Sequence, residues 1–324
     1  MSTTTMAHPA RPWWPWTKRI ATWVFFGLVA WLIFNQARGI EWGEVFDAMG
    51  QLPRRAVAAA LLLAACSFAL YSTYDLLGRH MTGHPLRTGT VMGVTFISYA
   101  FNLNLGSLVG GVAFRYRLYS KLGLGNQTIT RVLGFSMLTN WFGYLAVAGA
   151  AFAFWPMDLP DTWKIGDEGF RVLGGVLIAA ALGYLALCAL AGDHVWHVRG
   201  HEIETPSLRM ALLQLVMSAT NWSLIGGVIW ILLQGKIAYP HVLAVLLVAA
   251  VAGVITHVPA GLGVLEAVFV ALMGDELPQG ELLGALLAYR AIYYLLPLAL
   301  ATLLYLATEW RARRLRNGAR PPAT

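Results

Sequence analysis

Apolar residues run along this chain in long blocks separated by short polar breaks, without the alternation of a half-buried strand. Six blocks read as spanning helices, at about 20–37, 55–77, 131–154, 171–191, 209–233 and 281–308. Each approaches the roughly 20 residues that a helix needs to cross about 30 Å of hydrocarbon. Leu, Ala, Val and Gly dominate them, which favours helices over a β-barrel. Two further apolar stretches, about 89–113 and 242–273, are broken near their middles. The first carries Asn102, Asn104, Gly106, Gly110 and Gly111, and the second carries His257, Pro259, Gly261 and Gly263.

Charge decides how those two stretches are threaded. If 89–113 crossed the membrane, Arg115, Arg117, Lys121 and Arg131 would lie outside, against the excess of Lys and Arg on cytoplasmic loops. If the stretch enters and returns, they stay inside. Arms of about 12 residues, roughly 18 Å each at 1.5 Å per residue, would reach just past mid-membrane. The stretch 242–273 returns in the same way from the other face. The inside segments then hold 16 Lys and Arg and the outside segments six, with Arg290 left within the membrane.

The fold expected is an all-α polytopic membrane protein with six spanning helices and two re-entrant hairpins; eight spanning helices are the alternative. Residues 1–19 form a cytoplasmic N-terminal segment, 20–308 one transmembrane domain and 309–324 a basic cytoplasmic tail. The halves, about 20–154 and 171–308, each read span, span, hairpin, span from opposite faces. Such inverted repeats are common in secondary transporters, whose sites lie near the midplane. Gly110 precedes Arg115 by five residues, as Gly261 precedes Glu266. Irregular backbone at membrane depth needs a protein cover or a wet cavity. The two tips would enclose one.

Composition agrees with this picture. Of 324 residues, 58% are hydrophobic and 12% charged, against about 25% charged in a soluble domain. The net charge of +7 is explained by inside loops, so no nucleic-acid partner is implied. The run after Arg11, Lys18 and Arg19 lacks a clear small-residue cleavage site and reads as an uncleaved first helix, with Trp13, Trp14 and Trp16 as an interface belt. Cys66 and Cys188 lie in apolar runs and imply no disulfide framework.

Polar residues inside the apolar blocks are the candidate chemistry. Glu266 and Arg290 each sit where a charge costs about 2.5–3.5 kcal/mol on insertion scales. Mutual pairing serves either a structural tie or a substrate or proton site, and Tyr289 adjoins Arg290. Arg115 and Arg117 offer the guanidinium fork that binds phosphate bidentately, or simple inside anchoring. Asn102 and Asn104 border the first tip, and Asn140 and Asn221 sit in Thr-Asn-Trp triplets within spans. Hydrogen bonding between helices is their plain role. His257 precedes the second tip and has a side chain able to titrate near neutral pH. Asp75 falls near a helix end, where it would face the cytoplasmic interface. His194, His197 and His201 would share a face if helical, but no cysteine supports a metal site, and none is assigned. No cofactor-binding loop or nucleotide motif is present in the sequence.

The stretch His257-Val-Pro-Ala-Gly-Leu-Gly-Val-Leu-Glu266-Ala, followed by Tyr289-Arg290, resembles the transmembrane region of the lysylphosphatidylglycerol synthase family. The segment from Asn102 to Arg115 is similar to that family's first Gly-rich motif, without its usual Pro and acidic residue near Gly110-Gly111. The resemblance covers about residues 20–310. It implies movement of a phospholipid between leaflets of a bacterial inner membrane, with anionic and aminoacylated head groups as candidates. Pro259, Gly261, Gly263, Glu266 and Arg290 carry over by motif position. Two-part members add a soluble aminoacyl-transfer domain after the membrane region. The chain ends about 15 residues past its last expected helix, so it is expected to move lipid and not to be an enzyme. A proton- or ion-coupled solute transporter, and a scaffold partnering a lipid-synthesising enzyme, are the other readings.

Overall fold

The computed structural model describes residues 50–155, 166–192, 195–198, 201–256 and 258–318. The expected first span at 20–37, the tryptophans before it and His257 lie outside the described residues. Helix α1 (Arg54–Ser72) runs into α2 (Tyr74–Thr82) through a slight break at Thr73. Gly83, at φ 65°, ends α2 in the left-handed conformation, its N–H bonded to the Arg79 carbonyl. The first broken stretch gives α3 (Thr88–Leu105), a wide π-type segment (Ser107–Ala113) and α4 (Phe114–Lys121). Then come α5 (Asn126–Phe154) and α6 (Asp167–Leu190).

Between α6 and α7 (Leu208–Leu232) lies an antiparallel pair, β1 (Val195–Val198) and β2 (His201–Glu204). His197 and His201 therefore sit on strands rather than on a helical face, and His194 lies outside the described residues. Ser207 caps α7, its hydroxyl accepting from the Met210 N–H at 3.4 Å. The second broken stretch gives α8 (Tyr239–Thr256), a 3-10 turn (Pro259–Gly261) and α9 (Val264–Met273). The chain continues through α10 (Gln279–Arg290), a second π-type segment (Ala291–Leu295) and α11 (Leu296–Gly318).

Six helical stretches among the described residues have the length and apolarity to cross a membrane: 54–82, 126–154, 168–190, 208–232, 239–256 and 279–310. Five match expected spans. The sixth, Tyr239–Thr256, is the entering arm of the second broken stretch, longer than the expected 12 residues. The first entering arm, α3, also has 18 residues. The return arms are shorter: α9 has 10 residues, or about 15 Å at 1.5 Å each. The arms are thus unequal: the entering helices run on to the breaks at Gly106 and Pro259 rather than stopping at a fixed depth.

The chain doubles back in both stretches. At Gly106 the backbone turns to φ 82°, and the following segment packs against α3. A Cβ on Gly110 would lie 2.1 Å from the Phe101 carbonyl carbon, and one on Gly111 2.8 Å from Asn102 Oδ1. Only glycine permits that approach. In the second stretch, Ala260, Gly261 and Gly263 all take positive φ, at 55°, 55° and 76°, and α9 packs back on α8. Elsewhere α1 packs on α7, and α5 on α2, α6 and α7. At the α5–α7 crossing, a Cβ on Gly143 would meet Ser218 Oγ at 2.1 Å. This protein is an all-helical, multi-pass membrane protein, the short β pair aside.

Candidate functional site: two arginine clips and a buried hydroxyl network

Residues 290–294 of the last membrane helix tie both broken stretches together. Arg290 Nε and Nη2 both donate to the Glu266 carboxylate, the latter at 2.8 Å to Oε2. Nη1 donates to the Ala260 carbonyl at 3.0 Å and Nη2 to the Gly261 carbonyl at 2.9 Å. A guanidinium has five N–H donors, and four are used here. The expected pairing of Glu266 with Arg290 is therefore present, and Arg290 also clasps the turn itself. The left-handed turn at 260–261 accompanies this clasp of its carbonyls. Tyr294 adds its ring, 5.5 Å from the guanidinium carbon.

Four residues along, the Tyr294 carbonyl accepts from Asn104 Nδ2 at 3.2 Å, and the same amide donates to Ala100 at 2.8 Å. Asn104 is the penultimate residue of α3, two before the turn at Gly106, so the last helix holds both tips. Helix α3 also touches the Pro259–Gly261 turn. The two broken stretches thus meet, and both are bonded to residues 290–294.

A second clip was not legible in the sequence. Arg115 Nε donates to Asp75 Oδ2 at 3.0 Å and Nη2 to Oδ1 at 3.2 Å. Nη1 reaches the Gly111 carbonyl at 3.3 Å, and Nη2 also reaches Ser136 Oγ at 3.4 Å. Tyr119 donates to Asp75 Oδ2 at 2.9 Å. Both charges are buried. Asp75 thus does not face an interface: a carboxylate beside a buried arginine is drawn inward by the charge it neutralises. Arg115 holds its own tip through Gly111, as Arg290 holds the other through Gly261. Arg117 instead donates to the Tyr305 hydroxyl at 2.9 Å.

Above the clips lies a network of hydroxyls. Ser67 Oγ donates to Asn221 Oδ1 at 2.7 Å and lies 2.7 Å from the Tyr293 hydroxyl, which is 3.1 Å from that of Tyr99. Tyr71 stacks on Tyr99 with ring centres 3.5 Å apart, and Tyr289 on Tyr293 at 5.4 Å. Asn221 Nδ2, Asn104 Oδ1 and Ser98 Oγ are buried without partners. Asn221 thus bridges α1 and α7 through Ser67, as expected of a polar residue within a span. Asn140 differs: its backbone carbonyl accepts from Ser218 at 3.0 Å and from Trp222 at 3.3 Å. Asn102 packs against Gly111, and Tyr289 is buried beside Arg290. Ser67, Tyr99 and Tyr293 escaped sequence reasoning, because a lone hydroxyl in an apolar helix looks like any other. The run Tyr289, Tyr293, Tyr294 at helical spacing beside Arg290 was the available signal.

Two apolar cavities flank the site. One, of about 440 Å³, runs between α1, α3 and α11 with Leu61, Phe68, Phe96, Ile292 and Leu304 in its wall. The other, of about 400 Å³, lies against the second turn between Thr256, Gly263 and Ala271. Among the described residues no group of three or more His, Cys, Asp and Glu could hold a metal.

Comparison with known proteins agrees with the motif at the second turn. Residues 20–301 match the family model described as lysylphosphatidylglycerol synthase TM region. The chain is 44% identical over 308 residues to the inner membrane protein YbhN of Escherichia coli, covering 95% of this chain and 97% of that one. It is 32% identical over 286 residues to an uncharacterized protein of Synechocystis, covering 86% and 88%. A phosphatidylglycerol lysyltransferase of Staphylococcus haemolyticus is 21% identical over 87% of this chain, which spans 32% of that protein. This chain belongs to the lysylphosphatidylglycerol synthase transmembrane-region family.

Proposed function

We propose that this protein moves a phospholipid between the leaflets of a bacterial inner membrane, with both broken stretches as re-entrant hairpins and both termini cytoplasmic. One observation carries the reading. The buried hydroxyl network is separated from an apolar groove by a single ring. Phe68 lines the groove and packs its other side on Tyr99 and Tyr293, at centre distances of 5.0 and 5.2 Å. The groove rim is exposed at Leu61, Leu296, Leu300 and Leu304. A buried polar network lying beside a lateral apolar groove suits an amphiphile better than a small hydrophilic solute. The family and the inner-membrane relative support the same reading.

In this conformation both guanidinium groups are bonded to the protein. A lipid phosphate therefore gains access to Arg290 only by competing with Glu266. That exchange gives Glu266 its role: it holds the site closed, and it receives a cationic head group or a proton when Arg290 turns to phosphate. Arg115 bonds phosphate only if Asp75 releases it. The reading makes and breaks no covalent bond, so it does not require an enzyme.

The test is leaflet accessibility of labelled phospholipids in proteoliposomes, with wild type and Glu266→Gln, across several head groups, with and without a pH gradient. Movement that depends on Glu266 is the expected result. No movement of any lipid by folded protein would overturn the reading and favour a solute carrier or a scaffold beside a lipid-synthesising enzyme.

A further inference from the structure

His84 sits in the short loop between α2 and α3, outside the membrane-length helices. It is 6% exposed, yet neither ring nitrogen has a hydrogen-bond partner. Buried polar atoms are nearly always satisfied, so an imidazole with both nitrogens idle calls for a physical reason. Its neighbourhood supplies one. The ring lies 6.3 Å, centre to centre, from that of Tyr119, and Tyr119 donates to Asp75. Asp75 and Arg79 from α2 act electrostatically on His84, Tyr119 packs on it from α4, and Arg115 lies beyond Asp75. Arg79 is itself held by Thr88, at 2.8 Å.

We propose that His84 is a proton-binding site that sets the Asp75–Arg115 clip, so that acid on the loop side releases the first hairpin turn. As a neutral ring, His84 fits its pocket, because the pocket demands no charge. Once protonated, it carries two N–H donors and a buried charge, and no side chain accepts from either nitrogen. Asp75 is the nearest anion acting on it, and Arg79 repels it. The imidazolium therefore draws Asp75 from Arg115, and the clip that also holds the Gly111 carbonyl loosens. Burial and Arg79 both lower the proton affinity of His84, while Asp75 opposes them. The sign follows. The closed clip binds the proton more weakly than an opened one, so closure is favoured above the ordinary histidine range, near pH 6.5, and is lost as pH falls below it.

The inference does not depend on what the protein transports, and its test needs no lipid movement. Ser136 is buried against Arg115. In protein carrying Cys66→Ala and Cys188→Ala, Ser136→Cys would be labelled with a small thiol reagent between pH 5.5 and 8. Its rate would be normalised to the exposed position 107 as Ser107→Cys. Labelling about tenfold faster in acid is expected for the His84 protein. His84→Gln should label slowly at every pH, and His84→Lys, a fixed positive charge, quickly at every pH. Slow labelling of His84→Gln at pH 8 shows that the variant is folded. The same acid-driven rise in His84→Gln, or no rise in the His84 protein, overturns the proposal. As a second measurement on otherwise unaltered protein, the His84 resonance should titrate below the solvated range. Titration like a solvated histidine would also overturn it.

Discussion

Arg115 holds Asp75, 40 positions earlier in the chain, through two parallel donors at 3.0 and 3.2 Å. Arg290 holds Glu266, 24 positions earlier, by the same fork. In the first half the arginine follows the broken stretch, on α4, and the acid precedes it, on α2. In the second half the acid is on the return arm and the arginine on the helix after it. Each arginine also bonds a carbonyl of its own turn. The two halves therefore keep one device, a forked pair plus a clasped turn, while exchanging the charges.

Removing one partner of the first clip should be costly. Asp75→Asn leaves a buried guanidinium uncompensated, and a broken buried pair costs about 3–5 kcal/mol. Asp75→Asn with Arg115→Leu should lose less than the sum of the single changes. Unfolding of all three variants in detergent, compared as a double-mutant cycle, measures that coupling.

Arginine is required at 290 for its shape as well as its charge. Lysine cannot reach the Glu266 carboxylate and two turn carbonyls with one ammonium. Arg290→Lys should insert normally but lose most activity, roughly tenfold or more if one charge-assisted bond of about 1.5–3 kcal/mol is lost. Normal lipid movement by Arg290→Lys would show that the clasp is dispensable.

Glycines at the first turn should separate into two kinds. Gly110→Ala places a Cβ 2.1 Å from the Phe101 backbone, and should destabilise by several kcal/mol, since backbone cannot yield as a side-chain end does. Gly106→Ala meets nothing within 4 Å, and only its φ of 82° is unfavourable, which costs on the order of 1–3 kcal/mol. Thermal unfolding of the two variants should rank Gly110→Ala well below Gly106→Ala.

The network at Ser67 should resist simple truncation. Ser67→Ala leaves Asn221 Oδ1 without its donor, and a buried unsatisfied group costs about 1–3 kcal/mol. Asn221→Ala combined with Ser67→Ala should recover part of that loss. Equal losses for single and double variants would place the energy elsewhere.

Topology has its own test. If α8 and α9 form a hairpin entering from outside, Lys236→Cys and Asp275→Cys should both react with an impermeant reagent from the same face in intact cells. Reaction from opposite faces would mean that the second stretch crosses the membrane.

Much was legible along the chain because a bilayer imposes simple rules. Helix length must match hydrocarbon thickness, so five membrane-length helices appear where the apolar blocks predict them. Gly110, Gly111, Gly261 and Gly263 marked the turns because glycine most readily allows close backbone approach or positive φ. Glu266 and Arg290 were visible as a pair because each is too costly alone in an apolar setting. Other features were hidden for equally physical reasons. Asp75 looked like an interface residue, since nothing in its own neighbourhood of sequence names a partner 40 positions away. His84 was passed over in a short polar loop, because burial is a property of packing and not of composition. Sequence by itself determined that the chain is helical and membrane-spanning, where it breaks, and that Glu266 and Arg290 pair. Only the tertiary structure decided that Asp75 meets Arg115, and that residues 290–294 hold both turns. Those choices depend on helices brought together by packing, and packing joins residues that the linear chain keeps apart.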